Sequence, residues 1–272
     1  MSNFFRTVVI SAADAARHPD AVRRLRQEAF EGIILRDIYD PTTCARLCTR
    51  LEEARHGLME SALAGSSQAY CLGIDAALTP QGPSAYRRAV PVHRNGLAEL
   101  SAIGIDLETR LKALLSALDD GRRYVSVPGP RGGIEHMFTT LRAHQQDEPA
   151  PCHFATGQAS RQSARLVMPN IVSDVYCFVL AFSQVEAGGE LEIFSPHQGS
   201  QHDDAVDETP GEPRLSVAGM ESVKLRLAPG EMMIFNSDRY QHGIAPVIGT
   251  TTGWTACSFM AESRTGEMLC WG

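Results

Sequence analysis

Nine histidines are spread along the 272 residues, and the context of two of them suits chemistry. His242 follows Pro229-Gly230-Glu231-Met232-Met233-Ile234-Phe235-Asn236, a turn and then an apolar run, after a short loop. His153 lies in Cys152-His153-Phe154-Ala155-Thr156, where the chain enters its β-rich half behind a polar loop. A neutral imidazole ligates metals and exchanges protons near neutral pH. Eighty-nine residues separate the pair, so they form no local zinc spacing of the His-x-x-x-His kind. Only a closed β fold brings them together. Any one histidine alone is more commonly structural than a ligand. His202, beside Asp203 and Asp204, offers a histidine-plus-carboxylate set, but it sits in a polar stretch and reads as a solvated charge run.

The elements that must position these residues divide into two halves. Asp20 precedes a short helical run over 21–30, and 32–35 reads as a buried strand. Asp40-Pro41 is a helix start, an N-cap followed by proline at the first helical position. Leu47, Cys48 and Leu51 give that helix its apolar face to about residue 57. Residues 58–95, rich in Ala, Gly, Ser and Pro, read as a loop or lid, and 97–118 as another helix.

The second half is a series of short β-like runs at 137–143, 166–168, 175–182, 190–194, 223–227, 232–235, 244–248 and 254–260. In Val223-Lys224-Leu225-Arg226-Leu227 apolar and basic residues alternate, one face buried and one solvated. A polar stretch at 195–220 reads as a surface loop. Helices followed by many short strands predict an α+β fold: a double-stranded β-helix (jelly-roll, cupin-like) core over about 121–272, with a helical part over about 1–120 packed on it. The whole, 1–272, is expected to be one domain. No Gly-rich phosphate loop or dinucleotide fingerprint appears.

Composition narrows the function classes. The chain is 43% hydrophobic and 21% charged, which suits a globular core. Its net charge of −7 argues against a nucleic-acid polymer as partner, since that needs a basic footprint. No run approaches the roughly 20 apolar residues needed to span a bilayer, and residues 1–10 carry no signal-peptide pattern. Seven scattered cysteines are an odd number in a chain large enough to need no staples. A reducing, cytoplasmic setting is the expectation.

The run Val185-Glu186-Ala187-Gly188-Gly189-Glu190-Leu191-Glu192-Ile193, the turn and strand at 229–236, and His242 together resemble the non-haem iron, 2-oxoglutarate-dependent oxygenases. More narrowly, the chain resembles the freestanding aliphatic halogenases that chlorinate the ambiguine and welwitindolinone alkaloids. That likeness also rests on Phe30-Glu31-Gly32-Ile33-Ile34-Leu35-Arg36, Arg239-Tyr240-Gln241-His242, Val247-Ile248-Gly249 and Cys270-Trp271-Gly272, so it covers most of the chain. The nucleotide halogenases of the chlorinated pentostatin pathway are related. The resemblance implies Fe(II), 2-oxoglutarate, chloride and O2 as cofactors, a free small-molecule substrate and no carrier protein.

In the hydroxylating relatives the first ligand motif is His-x-Asp or His-x-Glu, completed by a distant histidine. Positions i and i+2 of an extended chain share a side, so both side chains reach one metal. Here the i+2 position is Ala155, whose methyl group cannot ligate. The resemblance therefore implies His153 and His242 as the metal ligands and Ala155 as the place of a chloride. Losing the carboxylate opens one coordination position and removes one negative charge, and a chloride restores both. The implied reaction chlorinates an unactivated sp3 carbon and releases succinate and CO2. A hydroxylase that recruits another carboxylate, or a catalytically silent binding member of the fold, is the alternative.

One departure from the family pattern bears on the cosubstrate. Relatives usually anchor its far carboxylate with an arginine ten to a dozen residues after the distal histidine, with a Ser or Thr two positions later. This chain reads Thr250-Thr251-Thr252-Gly253-Trp254-Thr255 there, with no base. A dicarboxylate in a pocket of low dielectric needs a cation. Arg142, eleven residues before His153, matches an arginine at the same offset in the alkaloid halogenases and is the first candidate; Arg161, Arg165 and Arg239 are others. Thr255 and Trp254 are candidate cofactor contacts beside it, and Phe154 and Phe138 candidate substrate contacts, each in competition with a core role. Arg122, Arg123 and Arg131 form a basic stretch that either meets a phosphate, making a nucleotide such as a deoxyadenosine phosphate a substrate option, or is a solvated loop.

Overall fold

A computed structural model of the chain describes residues 4–53, 59–63, 67–72, 83–129, 135–146, 150–153, 170–196, 217 and 219–272, with 59–63, 67–72, 83–87 and 150–153 described by backbone alone. The N-terminal part runs β1 (Thr7–Ser11), α1 (Ala21–Arg26), β2 (Gly32–Arg36), α2 (Pro41–Glu53), β3 (Met59–Leu63), β4 (Ser67–Leu72), α3 (Pro83–Ala102) and α4 (Leu107–Ala117). Next come β5 (Tyr124–Ser126), β6 (Thr140–His144), β7 (Ala150–His153), β8 (Tyr176–Ala181), β9 (Ala187–Gly188) and β10 (Leu191–Phe194). The chain ends with β11 (Ser222–Leu225), β12 (Met232–Asn236), β13 (His242–Ile244), β14 (Val247–Ile248), β15 (Gly253–Glu262) and β16 (Met268–Trp271).

Local chemistry accounts for the helix starts. The Asp40 carboxylate accepts from the Thr43 backbone N–H at 2.9 Å and from its hydroxyl at 2.7 Å, capping α2. Cys44, Leu47 and Leu51 then turn inward as one buried stripe. Asp106 caps α4 through the Thr109 N–H, and Leu107, Leu111 and Leu115 are buried at four-residue spacing.

Residues 58–95, expected to be a loop or lid, contain instead the β3–β4 hairpin and more than half of α3. The run expected as one helix over 97–118 is two helices, parted at Gly104, whose φ is +86°. Pro91 inside α3 removes a backbone donor and hid the helix from pattern reading, but burial of Ala89, Val90, His93 and Leu100 holds it together. The expected run at 166–168 and most of 195–220 lie outside the described residues. Short strands β1, β5, β7 and β16 were not anticipated; three of them carry five residues or fewer of weak alternation and the fourth contains Pro151. The remaining expected strands are present, with 244–248 split between β13 and β14.

Among the described residues the strands form a large sheet in the order β1-β2-β12-β8-β15-β6-β4-β3, with β16 and then β5 attached to β15, and a smaller sheet β11-β10-β13-β7. One face of the large sheet carries the helices: Phe178, Leu180, Ile234, Trp254 and Ala256 share a cluster with Cys44, Leu47, Leu51 and Leu111. Its other face packs on the smaller sheet, where Cys177, Val179, Met233 and Phe259 meet Leu191 and Ile193. Covering on both faces explains why β8 and β12 are buried at every residue. In β11 and the residues beyond it, Lys224 and Arg226 are exposed while Val223, Leu225 and Leu227 are half-buried, the alternation expected of a sheet with one solvated face. Two facing, mainly antiparallel sheets buttressed by helices on one side are the α+β jelly roll expected from the sequence. Among the described residues no helix is long and apolar enough to cross a membrane.

Candidate functional site

The smaller sheet joins the two distant histidines. Strands β13 and β7 pair antiparallel with His242 directly opposite His153. Directly opposed positions of an antiparallel pair lie on one face with Cβ atoms roughly 5 Å apart. His242 is also opposite Ile193 of β10, so it stands on an interior strand of that sheet. Its ring is buried, edge-on to Phe235 with centroids 4.9 Å apart. The Nδ1 atom lies 3.2 Å from the Tyr240 carbonyl. A carbonyl only accepts, so Nδ1 carries the proton and Nε2 is the lone-pair nitrogen of the neutral ring, the arrangement that prepares a histidine for metal. Phe154 and Ala155 lie outside the described residues.

The large sheet faces this pair with a polar strip. In the β6–β15 pairing Arg142 is opposite Thr255, His144 opposite Gly253, and Thr140 opposite Cys257. Alternation puts Thr140, Arg142 and His144 on one face with Thr255 and Cys257. These residues line a cavity between the sheets together with His242. Within it, His144 Nε2 and Thr255 Oγ1 are 3.0 Å apart. Burial, and after it the Arg142 charge, push the His144 imidazole down to about 4, so the ring is neutral at pH 7. Arg142 stays a cation at any working pH.

The donor set fits the groups that the fold implies. Two histidine positions on one face, one with its Nδ1 proton committed to a carbonyl, suit a divalent transition metal. A guanidinium cross-strand from a hydroxyl, in the same cavity, suits a carboxylate.

Two sequence expectations are corrected. Trp254 is next to Thr255 on β15 and therefore faces the other way; its indole Nε1–H donates to Glu52 on α2 at 2.7 Å, and the ring is 1% exposed in the helix-side core. Phe138 is wholly buried in that core, with the Lys112 ammonium 4.6 Å from its ring centroid. Neither residue lines this cavity, and Trp254 lines an adjoining one with His144 and Thr255.

Three of the arginines weighed earlier are engaged elsewhere. Arg239 pairs with Glu28 and covers the Tyr240 ring, a structural role. Arg122 contacts Asp119 and Glu262 at 3.2 and 2.8 Å, and Arg123 contacts Glu267 at 2.7 Å, so this basic stretch is already neutralised by carboxylates. Arg131, Arg161, Arg165 and His202 lie outside the described residues. Sequence reading missed His144 and Cys257; their only signal was a two-residue offset from Arg142 and Thr255 along their strands.

No curated protein matches the chain. Among solved structures, the fold resembles a novel N-substituted L-amino acid dioxygenase from Burkholderia ambifaria AMMD, with a TM-score of 0.56 at 14% identity over 93% of this chain and 91% of that one. The structure of that dioxygenase in complex with alpha-KG gives 0.53 at the same identity and coverage. At such identity the likeness is one of fold. The sequence itself goes further: residues 4–272 match the family described as carrier-protein-independent halogenase WelO5, and the chain belongs to that family of Fe(II)/2-oxoglutarate oxidoreductases.

Proposed function

We propose that the protein is an Fe(II)- and 2-oxoglutarate-dependent halogenase that chlorinates an unactivated sp3 carbon of a free small molecule. His153 and His242 would hold the metal, and Arg142 with Thr255 the far carboxylate of the cosubstrate. Ala155, two residues after His153, leaves room for chloride where an aspartate side chain would fill the position. The bound metal supplies O2 activation coupled to decarboxylation of 2-oxoglutarate to succinate and CO2.

The observation that carries this reading is the register of β13 on β7, which sets His242 opposite His153 across a cavity wall shared with Arg142. The chain's own part is orientation and exclusion of water. Tyr240 fixes the His242 tautomer through its carbonyl. Arg142 neutralises a carboxylate that would otherwise be desolvated at great cost. The apolar wall of Val179, Leu191 and Ile244 keeps the reacting region dry. Arg122 and Arg123 already have carboxylate partners, so of the basic stretch that suggested a nucleotide these two give the idea no support.

The test is an anaerobic titration of the protein with Fe(II), 2-oxoglutarate and chloride, followed by visible charge-transfer absorption. A band that appears with 2-oxoglutarate and shifts on adding chloride is the expected result, with the shift absent in Ala155→Asp. A band indifferent to chloride refutes halogenation and favours hydroxylation. No band at all refutes the site.

A further inference from the structure

His144 is a polar residue of the cavity with no part in the proposed reaction, and its hydrogen bond runs directly to Thr255. It is buried, lies two residues from Arg142 on the same strand, and faces no side chain on β15, where its partner is Gly253. A Cβ built on Gly253 would come within 3.2 Å of Val185 Cγ1 and lie in ordinary contact, 3.5 Å, with His144 Cβ, so a larger residue there would press first on Val185. The imidazole therefore reaches diagonally across the pair to Thr255, an approach open to long side chains at the i, j±2 position. His144 and Thr255 are both walls of two adjoining cavities: one shared with Arg142 and His242, the other with Val185, Gly189 and Arg226. The hydrogen bond between them lies along that boundary.

We infer that His144 is a positioning residue of the cosubstrate anchor, donating its Nε2–H to Thr255 Oγ1 so that the hydroxyl proton points at the carboxylate held by Arg142. This rests on the reading that Arg142 and Thr255 take the far carboxylate of 2-oxoglutarate. A threonine hydroxyl has one proton to give. If the imidazole accepted that proton, Thr255 would turn lone pairs toward an anion. With the imidazole as donor, the chain of donors runs Nε2–H to Oγ–H to carboxylate.

The test compares His144→Gln, which keeps a side-chain N–H donor, with His144→Met, which keeps volume and loses the donor. Calorimetric binding of 2-oxoglutarate to the anaerobic Fe(II) protein is the readout, beside the thermal midpoint of each variant. His144→Met is expected to bind about tenfold more weakly and His144→Gln within about threefold of the parent. His144→Asn, whose shorter amide falls short of Thr255, gives a second donor-loss variant with the same expectation. In a Thr255→Val background His144→Met should cost nothing more, because it acts through the hydroxyl. Equal binding by the Met, Asn and Gln variants, or fully additive losses with Thr255→Val, would overturn the inference. Arg142→Met separates the two levels: undiminished binding there refutes the anchor itself, whereas weakened binding there with indifferent His144 variants refutes only the role of His144.

Discussion

Replacing Thr255 by valine removes one oxygen from the middle of the site and keeps the shape of the side chain. The His144–Thr255 hydrogen bond is 3.0 Å long and its imidazole is buried, so the valine leaves a ring nitrogen without that partner. A buried polar atom stripped of its partner costs about 1–3 kcal/mol, and removal of the half-buried hydroxyl offsets part of this. A net destabilisation of about 1–2 kcal/mol is expected, read as a lower urea midpoint with unchanged slope. Cosubstrate affinity should fall further. A hydrogen bond to a charged group contributes about 1.5–3 kcal/mol, which corresponds to roughly ten- to a hundredfold in Kd for 2-oxoglutarate. Thr255→Ser keeps the hydroxyl and should restore most of the affinity. Loss of stability with Kd unchanged would make Thr255 a structural residue and would refute the assignment of the anchor to the β6–β15 pair.

Phe138→Ala should lose about 3–5 kcal/mol of stability in denaturant melts, because the ring is wholly buried, while leaving the Kd for 2-oxoglutarate unchanged; weakened binding at retained fold would put the ring back in the site. Asp119, 2% exposed, receives Arg26 at 2.8 Å, Arg122 at 3.2 Å and the Tyr124 hydroxyl at 3.1 Å. Its replacement by alanine should cost about 2–4 kcal/mol in urea unfolding, less than for a lone buried pair because Glu262 still holds both arginines; a loss under about 1 kcal/mol would deny the network that role. His144 is held at about 4 against an ordinary 6.5, so between those values the unfolded chain binds a proton that the folded one refuses. Its contribution is full above pH 6.5 and falls by roughly 1.4 kcal/mol per pH unit down to about pH 4. The difference in unfolding free energy between the parent and His144→Gln should trace that slope, and a flat difference would show an imidazole that titrates normally.

Legibility in the sequence followed the strength of local signals. The strand of Met232-Met233-Ile234-Phe235 and the helix capped by Asp40 announce themselves because pattern, cap and burial agree. The hairpin at 59–72 and the start of α3 do not, since weak alternation and Pro91 contradict what tertiary packing imposes. Arg142 and Thr255 were found one at a time, by offset and by residue type, and only the register shows that they are opposite each other. Trp254 was misassigned because residues 253–255 were weighed as a block, whereas a strand sends each neighbour to the other face. His144 carries no motif: its importance comes from a glycine 109 positions later in the chain, which only pairing reveals.

The proposed site is split between the two sheets, and this division has a physical consequence. The histidine pair belongs to β13 and β7 of the smaller sheet, the Arg142–Thr255 pair to β6 and β15 of the larger. Facing sheets stand about 10 Å apart, so on the proposed reading a short dicarboxylate would be the bridge between the two pairs. On the proposed reading metal affinity would be a property of one strand pair and cosubstrate affinity of the other. Each pair is fixed by backbone hydrogen bonds within its own sheet, while side-chain packing between Val179 and Leu191 fixes the distance across the gap. A cosubstrate that touches both pairs joins the sheets through a contact that the unfolded chain lacks, so its binding free energy adds to the stability of the fold. On that reading the jelly roll would be more than a support for two histidines, because the gap between its sheets would measure the acid it accepts.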